Sequence, residues 1–236
     1  MKIAGIIPAR FASTRFPGKP LVIINGKTMI QRVYEQAMQA RSLTELVVAT
    51  DDQRIADEVQ RFGGRVLMTK TTHENGTARC AEAALMLDEI ADVVINIQGD
   101  EPFIHPETID QLAQQFERSD TQIATLAIPC SNQELINRSS TVKVVLNQQQ
   151  QALYFSRSPI PFYRDNSGTY LRHIGIYGFR KSALEAVVRL PKSKLENAEM
   201  LEQLRWLENG FVIQVGLTQY ESQSIDTPED LQRLKI

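Results

Sequence analysis

Through the first half of the chain, short apolar runs alternate with segments whose apolar residues recur at helical spacing. Residues 2–7, 45–50, 65–68, 92–97 and 122–128 read as strands, and residues 29–40, 53–62, 77–90 and 106–118 as helices. Asp51-Asp52 suits the start of the helix at 53, and Gly63-Gly64 its end. This alternation predicts an α/β fold, a mostly parallel sheet with helices on both faces in three α/β/α layers. In such sheets ligands bind beyond the carboxyl ends of the strands, which places residues 10–19, 50–52, 69–77 and 98–101 along one edge.

After residue 128 the pattern changes. Residues 141–146 and 152–156 are β-prone runs separated by Asn147 and four glutamines, a hairpin pattern. Ser158-Pro159-Ile160-Pro161 is extended, because proline biases its predecessor away from helix. A strand follows at 172–179, a helix at 195–209, a strand at 211–215 and a closing helix from Pro228. In the helix at 195–209, Met200, Leu201, Leu204 and Leu207 form a core stripe, while Glu199, Glu202, Gln203 and Trp206 form a second one. A tryptophan among polar residues points to a pocket wall or an interface.

Composition narrows the classes. The 236 residues are enough for a sizeable core, and 42% hydrophobic with 23% charged residues is ordinary for a globular protein. A net charge of −2 gives no global case for nucleic acid or an anionic membrane, so any anion site is local. No apolar run approaches a membrane span, and the N-terminus lacks the regions of a signal peptide, which predicts a cytoplasmic protein. Cys80 and Cys130 form no C-x-x-C pair and read as buried free thiols.

The predicted ligand edge carries chemistry. Between the first strand and Pro20 stand Arg10, Ser13, Thr14, Arg15, Gly18 and Lys19, cations and hydroxyls able to wrap a polyphosphate or simply to turn the chain. It is not a Walker loop: Leu21 stands where Gly26-Lys27-Thr28 would need its first glycine, and Lys19 precedes proline. Gln98-Gly99-Asp100-Glu101-Pro102 puts a carboxylate just past a strand, where it can hold a metal or cap a turn. Asp226 precedes an ordinary helix start, Thr227-Pro228, and gains weight because Mg²⁺ on phosphates uses one or two carboxylates. In residues 69–79, Gly76 gives room, Thr77 a cap, and Arg79 a cation at a helix start, suited to an anionic ligand or to solvent. Arg157, Arg172, His173 and Tyr177 add polar groups further on, although a lone histidine is more often a satisfied buried one. The three histidines are unclustered, which argues against zinc.

Together the segments IPARFASTRFPGKPL, VATDD, NGTAR, NIQGDEP, TVKVV, ALYFSRSPIP, LRHIGIYGFR, LEQLRWLE and DTPEDL resemble the bacterial 3-deoxy-manno-octulosonate (Kdo) cytidylyltransferases over nearly the whole chain and in order. The resemblance implies a Rossmann-like nucleotidyltransferase fold over residues 1–236, with a β-hairpin dimerisation and sugar-binding insertion at approximately 130–180. It implies Mg²⁺-dependent transfer of CMP from CTP to Kdo for lipopolysaccharide assembly, by a homodimer. Arg10, Ser13, Arg15 and Lys19 would grip the triphosphate, and Thr71, Gly76 and Thr77 would approach the cytidine. Asp100 and Asp226 would hold Mg²⁺ and, with Lys19, form the catalytic set. Arg79, Gln98, Arg157, His173, Tyr177, Glu202 and Gln203 would shape the sugar-acid pocket.

Ala78, Cys80 and Ser224 depart from residues common in that family (Glu, Leu and Gly), and none of them removes an implied phosphate or metal ligand. CMP transfer to 8-amino-Kdo or a sialic acid, or a silent nucleotide-binding regulator, are the competing readings. Intact Arg10, Lys19, Asp100 and Asp226 speak against the last.

Overall fold

The computed structural model describes residues 1–12, 16–164, 168–221, 224–225 and 227–233. The chain forms two compact units, residues 1–110 with 221–236, and residues 111–220.

In the first unit, β1 (Ile3–Ala9) runs into a loop that ends in a 3₁₀ turn at Lys19–Leu21. A two-residue-per-strand hairpin follows, β2 (Ile23–Ile24) and β3 (Lys27–Thr28), and then α1 (Met29–Ala37). Next come β4 (Glu45–Thr50), α2 (Gln53–Arg61), β5 (Val66–Met68), α3 (Gly76–Leu85) and β6 (Val93–Asn96). The strands pair in parallel in the order β6-β1-β4-β5, so Ala9, Thr50, Met68 and Asn96 end on one edge. Nearly every residue of β1 and β4, and all of β6, is buried, as expected of parallel strands covered on both faces. Each crossover helix starts on a side-chain cap: Thr28 accepts from the Gln31 N–H, Asp52 from Arg54 and Asn75 from Ala78. The cap of α3 is therefore Asn75 rather than Thr77, which sits buried in the first turn.

The helix expected over 77–90 ends at Leu85. Beyond it Leu85 and Ile90 are exposed, while Asp88 pairs with Arg65 and Glu89 with Lys2. Those ion pairs hold the segment as a loop where its apolar residues have no core to cover. The helix expected over 106–118 is α4 (Pro106–Gln114), followed by a 3₁₀ turn at Gln115–Glu117.

In the second unit, β7 (Ile123–Cys130) is followed by a short helix that the apolar pattern did not announce, α5 (Gln133–Asn137). The expected hairpin is present as β8 (Lys143–Leu146) and β9 (Ala152–Ser156), with Val144 opposite Phe155. Asn147 closes its turn by accepting from the N–H groups of Gln149 and Gln151. Then β10 (Tyr170–Arg180) pairs antiparallel with β7 and with β8, and β11 (Ile213–Leu217) lies parallel to β7. A second unannounced helix, α6 (Lys181–Val187), follows β10.

The helix expected over 195–209 is two helices, α7 (Lys194–Glu199) and α8 (Gln203–Glu208). Met200 breaks them with a left-handed φ of 52° and is 75% exposed, so it leaves the core stripe assigned to it. Trp206 is buried edge-on against Tyr177 and Phe179. The C-terminal helix α9 (Pro228–Arg233) belongs to the first unit. Cys80 and Cys130 are buried free thiols, and no helix among the described residues is long and apolar enough to cross a membrane.

Candidate functional site

At the carboxyl edge of the first unit's strands lies a cavity lined by the end of β1, Lys19, the start of α3 and the turn after β6. The strand ends explain its shape. Gly99 brings that turn against β1, and a Cβ there would stand 3.0 Å from the Pro8 carbonyl oxygen. Gly76 does the same for α3, since its Cβ would stand 3.1 Å from the Pro8 ring. Two glycines thus let three backbone segments converge around one space.

Arg10, Lys19, Gly76, Arg79, Gln98 and Asp100 of the anticipated residues all line this cavity. Lys19 opens the 3₁₀ turn, and its Nζ lies 2.7 Å from Asp100 Oδ2. Asp100 is fixed on its other side, because its carbonyl accepts the Ile225 N–H at 2.9 Å. Ile225 itself is buried in a small apolar cluster with Ile24 and Met29. The carboxylate is therefore held at the cavity by backbone anchored in the core.

Arg79 is 3% exposed, so the reading of it as a solvated surface residue fails. Its Nη2 donates to Asp51 Oδ2 at 2.7 Å and its Nη1 to Thr69 Oγ1 at 2.6 Å. A buried guanidinium requires such a counter-ion, and Asp51 at the end of β4 supplies it. Sequence reasoning set Asp51 on the ligand edge and at the start of a helix; the cap is Asp52, and Asp51 is instead the counter-ion of Arg79. His73 also lines the cavity, and its Nε2 lies 2.5 Å from Glu82 Oε2. The Lys70 N–H, and then His73, hold the Glu82 carboxyl below its ordinary pKa.

Thr71 is exposed and does not line the cavity. Ser13, Arg15 and Asp226 lie outside the described residues. Among the described residues no three His, Cys, Asp or Glu side chains gather as a metal cage. One oxygen-ligand carboxylate at a cavity edge nonetheless fits a hard ion such as Mg²⁺, which takes one or two carboxylates and completes its shell with water and phosphate oxygens.

The second unit gathers His173, Tyr177, Phe155, Phe179 and Trp206 in a chain of ring contacts. His173 Nε2 lies 3.0 Å from Thr125 Oγ1, and that hydroxyl also lies 2.7 Å from the Ile176 carbonyl. With its one proton given to a carbonyl, Thr125 accepts from His173 Nε2–H, leaving Nδ1 as an acceptor. Burial pushes the His173 pKa down to about 3, so the ring is neutral. Burial, and next the charge of Glu202, raises the Tyr177 pKa well above its usual value. The Thr125 hydroxyl opposes that rise, and Trp206 Nε1 is buried and meets no partner at hydrogen-bonding geometry among the described residues. Gln203 is buried, and Glu202 is half-buried.

Arg157 is differently placed. Its Nε donates to the Glu199 carbonyl, Nη1 to Ser139 and Nη2 to Met200, at 2.7, 2.9 and 3.3 Å. Glu199 in turn accepts from the Ser156 hydroxyl and the Arg157 N–H. The guanidinium therefore ties the end of α7 to β9 rather than standing open as a fork.

A cytidylyltransferase family model matches residues 4–221. The 3-deoxy-manno-octulosonate cytidylyltransferase of Parabacteroides distasonis is 52% identical, over 99% of this chain and 96% of its own. The protein of the same name from Bacteroides thetaiotaomicron is also 52% identical, over 98% and 96%. A solved structure of a CMP:2-keto-3-deoxy-manno-octonic acid synthetase complexed with CTP is 44% identical, with a TM-score of 0.93 over 99% of this chain and 96% of that one. The 4-diphosphocytidyl-2C-methyl-D-erythritol synthase of Anaerococcus prevotii, 14% identical with a TM-score of 0.64, shares the fold alone. The mixed, mostly parallel sheet with its helices is thus a Rossmann-like nucleotidyltransferase fold, and the chain belongs to the 3-deoxy-manno-octulosonate cytidylyltransferase family.

Proposed function

We propose that this chain transfers CMP from CTP to the anomeric hydroxyl of Kdo, releasing pyrophosphate, with Mg²⁺ as its divalent ion. The observation that carries the chemistry is the Lys19–Asp100 pair on a cavity walled by Gly76 and Arg79. A triphosphate entering there meets cations, with the start of α3 lining the same space. Attack on the α-phosphorus needs charge neutralisation and alignment more than covalent help. Arg10 and Lys19, with Ser13 and Arg15 from the same loop, grip the phosphates and stabilise departing pyrophosphate. Held by Asp100 and Asp226, Mg²⁺ would neutralise phosphate charge and polarise the α-phosphate. The loop around Thr71, Gly76 and Thr77 approaches the cytidine.

For the sugar acid, Arg79 and Gln98 offer donors in the first unit. In the second, Tyr177 stays protonated as a donor, while neutral His173 accepts through Nδ1. Glu202 and Gln203 complete that set, and Arg157 frames it by holding the end of α7. The chain acts in the cytoplasm as a homodimer in lipopolysaccharide synthesis. The β8–β9 hairpin, which carries the exposed Leu153, is the proposed dimer element within an insertion at approximately 130–180.

Pyrophosphate release with CTP and Mg²⁺, offering Kdo, 8-amino-Kdo and N-acetylneuraminate separately, tests the reading. Turnover with Kdo is expected. A preference for either other sugar would overturn the sugar assignment, and no turnover with any would overturn the enzyme reading.

A further inference from the structure

The turn after β4 carries two consecutive acids, and each holds one arginine. Asp51 takes Arg79 at the cavity wall. Asp52 takes Arg54 with two bonds, Nε to Oδ1 at 2.9 Å and Nη2 to Oδ2 at 2.6 Å. The two bonds fix the plane of the Arg54 guanidinium, whose central carbon lies 3.3 Å from the centroid of the Phe11 ring.

Phe11 follows Arg10 and closes the loop after β1. Its carbonyl accepts the Gly18 N–H at 3.0 Å, and its ring edge lies 3.1 Å from where a Cβ on Gly18 would stand. Gly18 has a φ of 70° and caps the 3₁₀ turn whose first residue is Lys19. The ring therefore touches both the guanidinium and the glycine that launches Lys19. An exposed ion pair of this kind contributes little to global stability, so its effect is local.

We propose that Asp52 and Arg54 are positioning residues for the phosphate grip: through the Phe11 ring they hold the Phe11–Gly18 closure that sets Arg10 and Lys19 at the cavity. The proposal rests on the reading of this loop as the triphosphate site. Neither residue touches the nucleotide in this scheme. Their effect is to pre-organise the loop, so that its ordering is not charged against CTP binding.

The test is CTP titration by calorimetry, with steady-state kinetics, on wild type, D52N, R54M, R54K and F11Y. Asparagine caps a helix as well as aspartate does, so D52N removes the charge without uncapping α2. D52N and R54M are each expected to weaken CTP binding and raise its KM by about three- to fivefold, the scale of one exposed cation–π contact. In both, kcat and the KM for Kdo should stay unchanged, and the double variant should be no weaker than either single one. R54K keeps the charge but lacks the planar fork, so it should bind CTP as weakly as R54M, whereas F11Y keeps the ring and should bind CTP as wild type does. Unchanged CTP affinity in R54M beside a wild type that binds CTP overturns the positioning role alone. A wild type that binds no CTP overturns the nucleotide reading and this proposal with it.

Discussion

Lys19 and Asp100 occupy one another: the ammonium lies 2.7 Å from the carboxylate, with side-chain exposures of 14% and 27%. A divalent ion taking Asp100 Oδ2 as ligand displaces that ammonium, and one taking the other oxygen is repelled by it at close range. Metal and nucleotide are therefore expected to arrive together, since the metal alone competes with a cation already seated. In Lys19→Met, Mn²⁺ measured by electron paramagnetic resonance without nucleotide should bind more tightly than in wild type. Turnover should nevertheless fall at least about 10²-fold, the scale of losing one preorganised charge at a transition state.

Asp100→Asn should abolish pyrophosphate release while circular dichroism and Tm stay near wild type. The backbone bond from Ile225 to the residue 100 carbonyl does not depend on the side chain. Near-normal turnover would remove Asp100 from the metal role.

Gly99→Ala tests the convergence of strand ends. Its Cβ would stand 3.0 Å from a backbone oxygen of β1, and neither partner is a flexible side-chain end. Overpacking of this kind costs about 1–3 kcal/mol. Tm should fall, and kcat/KM for CTP should fall further than Tm alone explains, because the cavity wall itself moves.

Glu196 and Arg205 form a shielded pair, with Arg205 Nε 2.8 Å from Glu196 Oε2. Burial alone would raise the Glu196 pKa, but the hydrogen bonds from Arg205 and the Ser193 N–H hold it below the ordinary 4.5. A carboxyl depressed on folding gives stability that is full above its unfolded pKa and lost as pH falls through the folded value. Urea unfolding of Glu196→Gln should show a deficit of about 3–5 kcal/mol at pH 7. That gap should narrow progressively once the pH drops below about 4.5.

His173 works with the same sign from the opposite charge type. Its pKa falls from 6.5 to about 3 on folding, so between those values the unfolded chain binds the extra proton. Wild-type stability should fall as pH is lowered from 6.5 towards 3, while His173→Gln should show a flatter profile over that window. An equal slope in both would show that the ring is not held neutral.

The parallel half of the fold was legible because continuous apolar runs have one explanation in an α/β chain. The strand expected over 45–50 is β4 to the residue. The break at Met200 was not legible, since a left-handed φ at a methionine has no composition signal. The α6 helix and the β2–β3 hairpin are short, and their apolar residues are too few to set a period. At the cavity, the strand-end rule brought together Arg10, Lys19, Gly76, Gln98 and Asp100, and the cation at the helix start, Arg79, joins them. The same rule set residues 50–52 on that edge, but it did not pair Asp51 with Arg79. Asp51 meets Arg79 across 28 positions of sequence, a pairing made by the sheet and by no local pattern.

The buried Lys143 ammonium donates to the carbonyls of Arg138, Thr141 and Arg157. Three converging carbonyl oxygens around one compact cation are what a protein uses to coordinate a monovalent ion, so the chain carries its own tethered equivalent of potassium at the start of β8. Lys143→Ala would leave that ring of oxygens facing one another without a charge between them. Added ammonium or potassium would then be expected to return, as a dissolved ion, what the side chain delivers covalently.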